Sequence, residues 1–348
     1  MSLSERNARF KFCSSYNDTN QTSMNQAILS NWTDQKIEDF GTVPLRLNHC
    51  LHQHSLFSEE SLALLIESVE RADYLVNTMD VTKHDFSTRR EGEIRNVSGR
   101  AVLEALHKGH IWILLLHPQR LSAPYQDLLQ QIYAEFASRV PGFKPYLLNM
   151  SILISSPNVQ VYYHCDVPGQ MLWQLRGNKR IYIYPNKPPF LEQASLEKIV
   201  LGESNEFGLP YEQSFDEKAV VFDLTPGQML HWPLNAPHRI VNGDCVNVSL
   251  ATEHFTKPLR RKFFVNYANG VLRRQGWTQL SQKISGPSYW SKLALAVTYK
   301  LTGAQKKRTN KSKVEFMVDP AAPNGIRPIR GYEFRPGSKL EEQTSPAK

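Results

Sequence analysis

The stretch "YYHCDVPG" at residues 162–169 sets His164 and Asp166 two positions apart in a run of strand-forming residues. Successive side chains of a strand point to opposite faces, so Tyr162, His164 and Asp166 are expected on one face and Tyr163 and Cys165 on the other. An imidazole and a carboxylate then look into one space. They form either a hydrogen-bonded pair in a core or two arms of a metal site that needs a third ligand. The segment "TPGQMLHWPLNAPHRI" at 225–240 offers that ligand through a Pro-Gly turn, a strand, a proline-containing turn and a further strand headed by His238. His238 is preferred to His231 because a side chain just past a turn can meet ligands from a neighbouring strand. His231 reads as a supporting or pocket residue, or as a core histidine bonded to backbone. His164, Asp166 and His238 make a two-histidine, one-carboxylate set, the facial arrangement of non-haem iron(II) oxygen chemistry. It leaves coordination positions open for a bidentate cosubstrate and dioxygen, whereas a closed four-ligand site is structural.

Such ligands need a rigid frame, and the hydrophobic period supplies one. From Tyr146 onward "YLLNMSILISS", "VQVYYHC", "QMLWQL", "KRIYIYP", "KAVVFDL", "GQMLHWP" and "CVNVSLATEHF" are short β-rich runs broken by Pro, Gly and Asn turns. That pattern predicts an antiparallel sandwich or barrel. Before it, "SEESLALLIESVERADYLV" from Ser58 and "APYQDLLQQIYAEFASRV" from Ala123 carry apolar residues at helical spacing. Residues 1–40 are polar and read as a loosely ordered lead-in. After Phe255 the chain turns basic and partly helical, with a frayed end.

The 348 residues hold 41 Lys plus Arg, 33 Asp plus Glu and four cysteines. Cys13, Cys50, Cys165 and Cys245 contain no C-x-x-C pair, which argues against a zinc ribbon, a thioredoxin motif or a disulfide framework and leaves reduced thiols. The apolar run "IWILLL" at 111–116 is far too short to cross a bilayer, and the first residues lack the apolar core of a signal peptide, so a cytoplasmic location is expected. Charge is uneven: residues 257–348 carry 19 basic against 5 acidic residues, leaving 22 against 28 for residues 1–256.

Three stretches, "YYHCDVPGQMLWQLRGNKRIYIYP", "FDLTPGQMLHWPLNAPHRI" and "VNVSLATEHF", together resemble the JmjC-type, cupin-like 2-oxoglutarate-dependent oxygenases, in particular their asparaginyl hydroxylase branch. The resemblance covers roughly residues 140–256, and more loosely back to about 45. It implies a mainly β fold, a double-stranded β-helix of the cupin or jelly-roll kind, with Fe(II) at one end of the barrel and 2-oxoglutarate as cosubstrate. It also implies a lysine in the G-x-K-R turn for the far carboxylate of 2-oxoglutarate, which falls on Lys179. Alternation supports this independently, because Lys179 shares a face with Ile181 and Ile183, and a buried lysine needs an anionic partner. Gln170, Trp173, Asn247 and Ser249 are placed either to line the same cavity or to serve packing and sheet hydrogen bonding, with Arg239 and Arg176 as reserve anion ligands. Gln228 stands where the family usually has Asp, in a turn that supplies no ligand.

The expected organisation is a lead-in over 1–40, a catalytic domain over 41–256 with flanking N-terminal helices, and a basic, partly helical extension over 257–348. In that extension Trp290, Leu293, Ala294, Val297 and Leu301 fall at helical spacing ahead of Lys306, Lys307, Arg308, Lys311 and Lys313. The face suits an anionic surface, a second subunit of a homodimer, or simple packing on the barrel. The function expected is hydroxylation of an unidentified protein or small-molecule substrate, coupled to decarboxylation of 2-oxoglutarate. A non-catalytic, cupin-like metal-binding or regulatory module is the alternative.

Overall fold

The computed structural model describes residues 27–78, 88–302 and 312–334. Five strands come first: β1 (Leu29–Ser30), β2 (Leu45–His49), β3 (Tyr74–Thr78), β4 (Arg90–Glu93) and β5 (Ile111–Leu116). Eight more follow in the region of strand-like runs: β6 (Tyr146–Ser155), β7 (Gln160–His164), β8 (Gly169–Arg176), β9 (Lys179–Ile183), β10 (Val220–Leu224), β11 (Gln228–His231), β12 (His238–Asn242) and β13 (Asn247–Phe255). Strands β14 (Ser312–Val318) and β15 (Ile326–Phe334) close the described chain.

The middle eight strands make a jelly roll. Four of them, in the order β11-β8-β13-β6, lie at the centre of an eleven-stranded sheet, and the other four form a second sheet in the order β10-β9-β12-β7. From β6 to β13 the chain passes between the two sheets at every step except β9 to β10, which pair with each other in one sheet. This is the antiparallel double-sheet closure that protects sheet edges. Between the sheets lie Leu172, Ile181, Ile183, Leu224, Leu230, Trp232, Ala236 and Ile240.

Each sheet also buries its outer face, so these strands carry apolar residues on both sides. On β6, Met150, Ile152 and Ile154 point outward to the larger core, which includes Leu128, Ile132 and Phe136 of helix Ala123–Arg139. That helix buries Tyr125, Leu128, Leu129, Ile132, Tyr133 and Phe136, one stripe at helical spacing. Each such side chain fully buried contributes about 1.5–3 kcal/mol. The second sheet is covered outside by helices Gln193–Val200, Lys257–Arg274 and Gly286–Leu301, which supply Leu196, Tyr267 and Ala296 to one cluster with Tyr163 and Tyr184. Helix Gly286–Leu301 turns Tyr289, Lys292 and Ala296 inward and leaves Trp290, Val297 and Leu301 exposed. Lys306, Lys307, Arg308 and Lys311 of the basic run lie outside the described residues, as do Cys13 and the C-terminal end. Among the described residues no helix is long and apolar enough to cross a membrane.

Two expectations change and a third gains detail. Residues 28–40 are ordered: β1 pairs with β2, and Phe40 packs on Phe136. The helix begun by Ser58, whose hydroxyl accepts from Ser61 N, ends at Ser68, and Tyr74–Thr78 instead enters the sheet beside β5. The C-terminal extension is not only helical, because β14 runs parallel to β4 and pairs with β15, burying Val314, Phe316 and Val318 by strict alternation. Glu93 secures this hairpin by accepting from Tyr332, from Tyr74 and from Arg95 Nε at 2.9 Å.

Gly92 of β4 leaves room for Phe316, whose Cε2 would stand 2.1 Å from an added Cβ. Gly92→Ala is therefore expected to cost about 1–3 kcal/mol by overpacking. Thermal denaturation should show the loss, and limited proteolysis should find β14 and β15 released first.

Candidate active site

His164 ends β7 and His238 begins β12, and the two are direct cross-strand partners. Their ring centroids lie 4.1 Å apart. Asp166 follows two residues after β7, placing one carboxylate oxygen 3.4 Å from His238 Nε2 and the other 3.9 Å from His164 Nε2. One ligand atom from each residue fits within 4.8 Å of the others, and this is the only such cluster among the described residues.

Simple alternation does not by itself bring His164 inside. The register between β12 and β7 slips, with His238 opposite His164 but Ile240 opposite Val161. A β-bulge at Tyr162 and Tyr163 thus turns both Val161 and His164 to the barrel interior. Tyr163 lies on the outer side, where its hydroxyl donates to the Phe190 carbonyl at 2.8 Å. Asp166 is held by its backbone, whose carbonyl accepts from Asn235 Nδ2 at 2.6 Å, and Asn235 itself takes a left-handed φ of 59°.

Both histidines donate Nδ1–H to backbone carbonyls, His164 to Tyr162 at 2.7 Å and His238 to Ala236 at 3.1 Å. The tautomer is thereby fixed, and each Nε2 lone pair is left facing Asp166. Burial pushes His164 down to about 4 and His238 well below the ordinary histidine range, so both rings are neutral at pH 7. Burial, with Glu206 and Glu253 nearby, raises Asp166 well above the usual carboxylate range. Two neutral nitrogens and a carboxylate that lacks a cationic side-chain partner among the described residues fit a divalent cation. Phe207 stacks on His164 at 4.6 Å and Trp232 lies 4.5 Å from His238, walling the cluster with apolar rings.

Lys179 begins β9 on the inner face with Ile181 and Ile183, opposite Asn242 and Leu224. It is 4% exposed and has no hydrogen-bond or ion-pair partner among the described residues. Burial holds its ammonium down to about 7. His238 pairs with Ile183 at the other end of the same strand, so Lys179 sits four residues, or roughly 13 Å of strand, further into the barrel.

The other candidate residues divide. Gln170 is at the ligand end, where its Nε2 donates to Glu253 at 3.2 Å. Ser249 and Asn247 belong to an interior polar ladder, with Ser249 Oγ donating to Gln174 Oε1 at 2.8 Å and Gln174 Nε2 donating to Asn247 Oδ1 at 2.7 Å. Arg239 is not an anion reserve inside the barrel. It follows inward-facing His238 by one residue and so points outward, where it pairs with Asp216 and lies 3.5 Å over the Tyr182 ring. Arg176 is spent on the Phe57 carbonyl at 2.7 Å, and Trp173 packs in the outer core with its Nε1 donating to Thr252 at 3.0 Å. His231 is also an outer-face core residue: its Nδ1 donates to the Gln170 carbonyl at 2.7 Å and its ring stacks on Phe40 at 4.4 Å.

Glu253 and Glu206 complete the ligand end without having been singled out. Inward alternation of Ser249, Ala251 and Glu253 marks the first in the sequence. Nothing in "SNEFGLPYEQSF" marks the second, because that loop has no period.

No family model matches this chain, and no curated protein matches it. Among solved structures, it is similar to YcfD of Escherichia coli, at 17% identity and a TM-score of 0.45 over 80% of this chain and 70% of that one. A second structure, described as the ribosomal oxygenase YcfD from Escherichia coli in complex with cobalt and 2-oxoglutarate, matches at 17% identity and a TM-score of 0.41. There the match covers 74% of this chain and 63%, less than two thirds, of the other.

Proposed function

We propose that this protein is an Fe(II)- and 2-oxoglutarate-dependent oxygenase that hydroxylates a substrate at the open end of the jelly roll. One observation carries the reading: a three-ligand cluster at one end of the barrel, with an unpaired, buried ammonium deeper in the same barrel. Three protein ligands leave open positions for a bidentate 2-oxo acid and for dioxygen. Lys179 would donate to the far carboxylate of that acid, giving its buried charge a partner that the described residues do not supply. Together the iron and cosubstrate supply the oxidising power, as 2-oxoglutarate and dioxygen become succinate and carbon dioxide and one oxygen atom enters a substrate C–H bond.

The chain's own contribution is positioning and exclusion. Tyr162 and Ala236 carbonyls hold the ligand rings, Asn235 holds the Asp166 backbone, and Phe207 and Trp232 keep bulk water from the ligand atoms. Ser249, Gln174 and Asn247 form a hydrogen-bonded ladder on the inner face of the barrel, and Lys179 supplies a buried cation there.

The test is an anaerobic titration with Fe(II) and 2-oxoglutarate, followed by admission of oxygen and measurement of succinate. Succinate formed only when all three are present is expected, even without a prime substrate. Metal binding with no consumption of 2-oxoglutarate would reduce the barrel to a binding module.

A further inference from the structure

The two long helices on the outer side of the second sheet carry a surface that the oxygenase reading does not use. From Lys257 to Thr302 the chain has nine basic residues and no acidic one. Arg273 and Arg274 find carboxylates in Glu197 and Glu203, from the segment between β9 and β10, and Lys292 is turned inward to donate to the Ser281 carbonyl. The other six have no carboxylate partner among the described residues. On helix Gly286–Leu301 the face opposite Tyr289, Lys292 and Ala296 is apolar and uncovered. Trp290, Ala294, Val297 and Leu301 follow one another at helical spacing along it, with Trp290 59% and Leu301 82% exposed. Trp277, just past helix Lys257–Arg274, is exposed as well.

Stripe and charge adjoin. Lys300 precedes Leu301 on the helix, and its Nζ lies 4.9 Å from the Phe263 ring and 5.9 Å from the Phe264 ring. Arg260 lies over the same two rings at 5.1 and 4.9 Å. Two cations are thus held against aromatic faces beside an apolar stripe, with no acid on either helix to neutralise them. The combination selects the occupant. A second copy related by a two-fold axis would set this cationic face against itself. A nucleic acid would take the cations through its phosphates but leave Val297 and Leu301 in water. An anionic bilayer meets both needs, because its headgroups attract the cations while Trp, Val and Leu side chains enter the acyl boundary.

We propose that helix Gly286–Leu301, together with the cations of helix Lys257–Arg274, is a docking surface for an anionic lipid bilayer, with the first helix lying in the plane of the interface. Neither helix is long and apolar enough to cross a membrane, so the contact is peripheral. Both helices cover the outer side of the second sheet, whereas His164 and His238 point to its inner side, so docking leaves the ligand cluster clear of lipid.

The test is flotation of the full chain with vesicles of phosphatidylcholine alone and of an equimolar mixture of phosphatidylcholine and phosphatidylserine. Binding to the mixed vesicles and not to the neutral ones is expected. It should weaken at least about tenfold between about 0.1 M and about 1 M salt, as the screening length falls from about 10 Å to about 3 Å. Lys300→Gln should lower the affinity about fivefold and Leu301→Ser about tenfold. Both positions are exposed, so each variant should melt as wild type does. Acyl chains carrying bromine should quench the tryptophan emission of the bound protein, and Trp290→Phe should bind while losing most of that quenching. Equal binding to neutral and anionic vesicles, binding to neither, or wild-type affinity in both Lys300→Gln and Leu301→Ser overturns the proposal. So does a dimer in sedimentation velocity that Leu301→Ser dissociates, which would give the face to a second copy, or binding to duplex DNA without binding to the mixed vesicles.

Discussion

Replacement of His238 by alanine is expected to lower metal-dependent succinate formation by more than about 100-fold, because even groups that only orient a ligand cost 10–100-fold when removed. His238 and His164 are cross-strand partners whose Nε2 atoms face one carboxylate, so loss of either opens the ligand set. His231→Ala should behave differently. Its ring lies on the outer face against Phe40, and its removal empties part of a core and costs about 1–3 kcal/mol of stability without touching the metal. Metal titration separates the two: His231→Ala should bind Co(II) as wild type does, and His238→Ala should not. The opposite ranking would move the third ligand to β11 and break the assignment.

Lys179→Met should raise the apparent 2-oxoglutarate constant about tenfold or more at unchanged metal affinity, since a charge-assisted contact contributes about 1.5–3 kcal/mol. The same substitution should stabilise the unloaded protein, and the sign follows from protonation. Burial holds Lys179 down to about 7, whereas an exposed lysine titrates near 10.5. Between those values the unfolded chain binds more protons than the folded one, so stability rises with pH across that window. The lysine is thus a burden below about pH 7 and contributes no penalty above about 10.5. Methionine removes that slope, and the variant should melt higher than wild type at neutral pH and lose its extra stability at high pH. A substitution that weakens cosubstrate binding while strengthening the empty fold is what a site residue held against its own burial should give. An unaltered cosubstrate constant would mean that the carboxylate lies elsewhere.

Much of the jelly roll was legible because its strands alternate and its turns are marked by Pro, Gly and Asn. Six of the eight strands fall within the runs read from the sequence, β8 overruns its run by one residue at each end, and β12 is the strand headed by His238. Lys179 was legible for the same reason, sharing a period with Ile181 and Ile183. That logic also carried the information that Arg239, one residue from inward-facing His238, must point outward, where Asp216 meets it. The bulge in β7 was not legible, because nothing in Val161–His164 fixes where the ladder slips. The strands after residue 311 were obscured by their charge, although Val314, Phe316 and Val318 alternate plainly. Glu206 was beyond reach, since a loop without a period places its side chains by tertiary contact alone.

The central claim is most directly tested by anomalous diffraction at the cobalt edge from crystals grown with Co(II) and 2-oxoglutarate under anaerobic conditions. A single strong peak is predicted about 2.0–2.2 Å from His164 Nε2, His238 Nε2 and an Asp166 oxygen, with the far carboxylate of 2-oxoglutarate on Lys179 Nζ. A peak that avoids any of the three ligands, or a 2-oxoglutarate whose far carboxylate contacts another cation, would contradict the account.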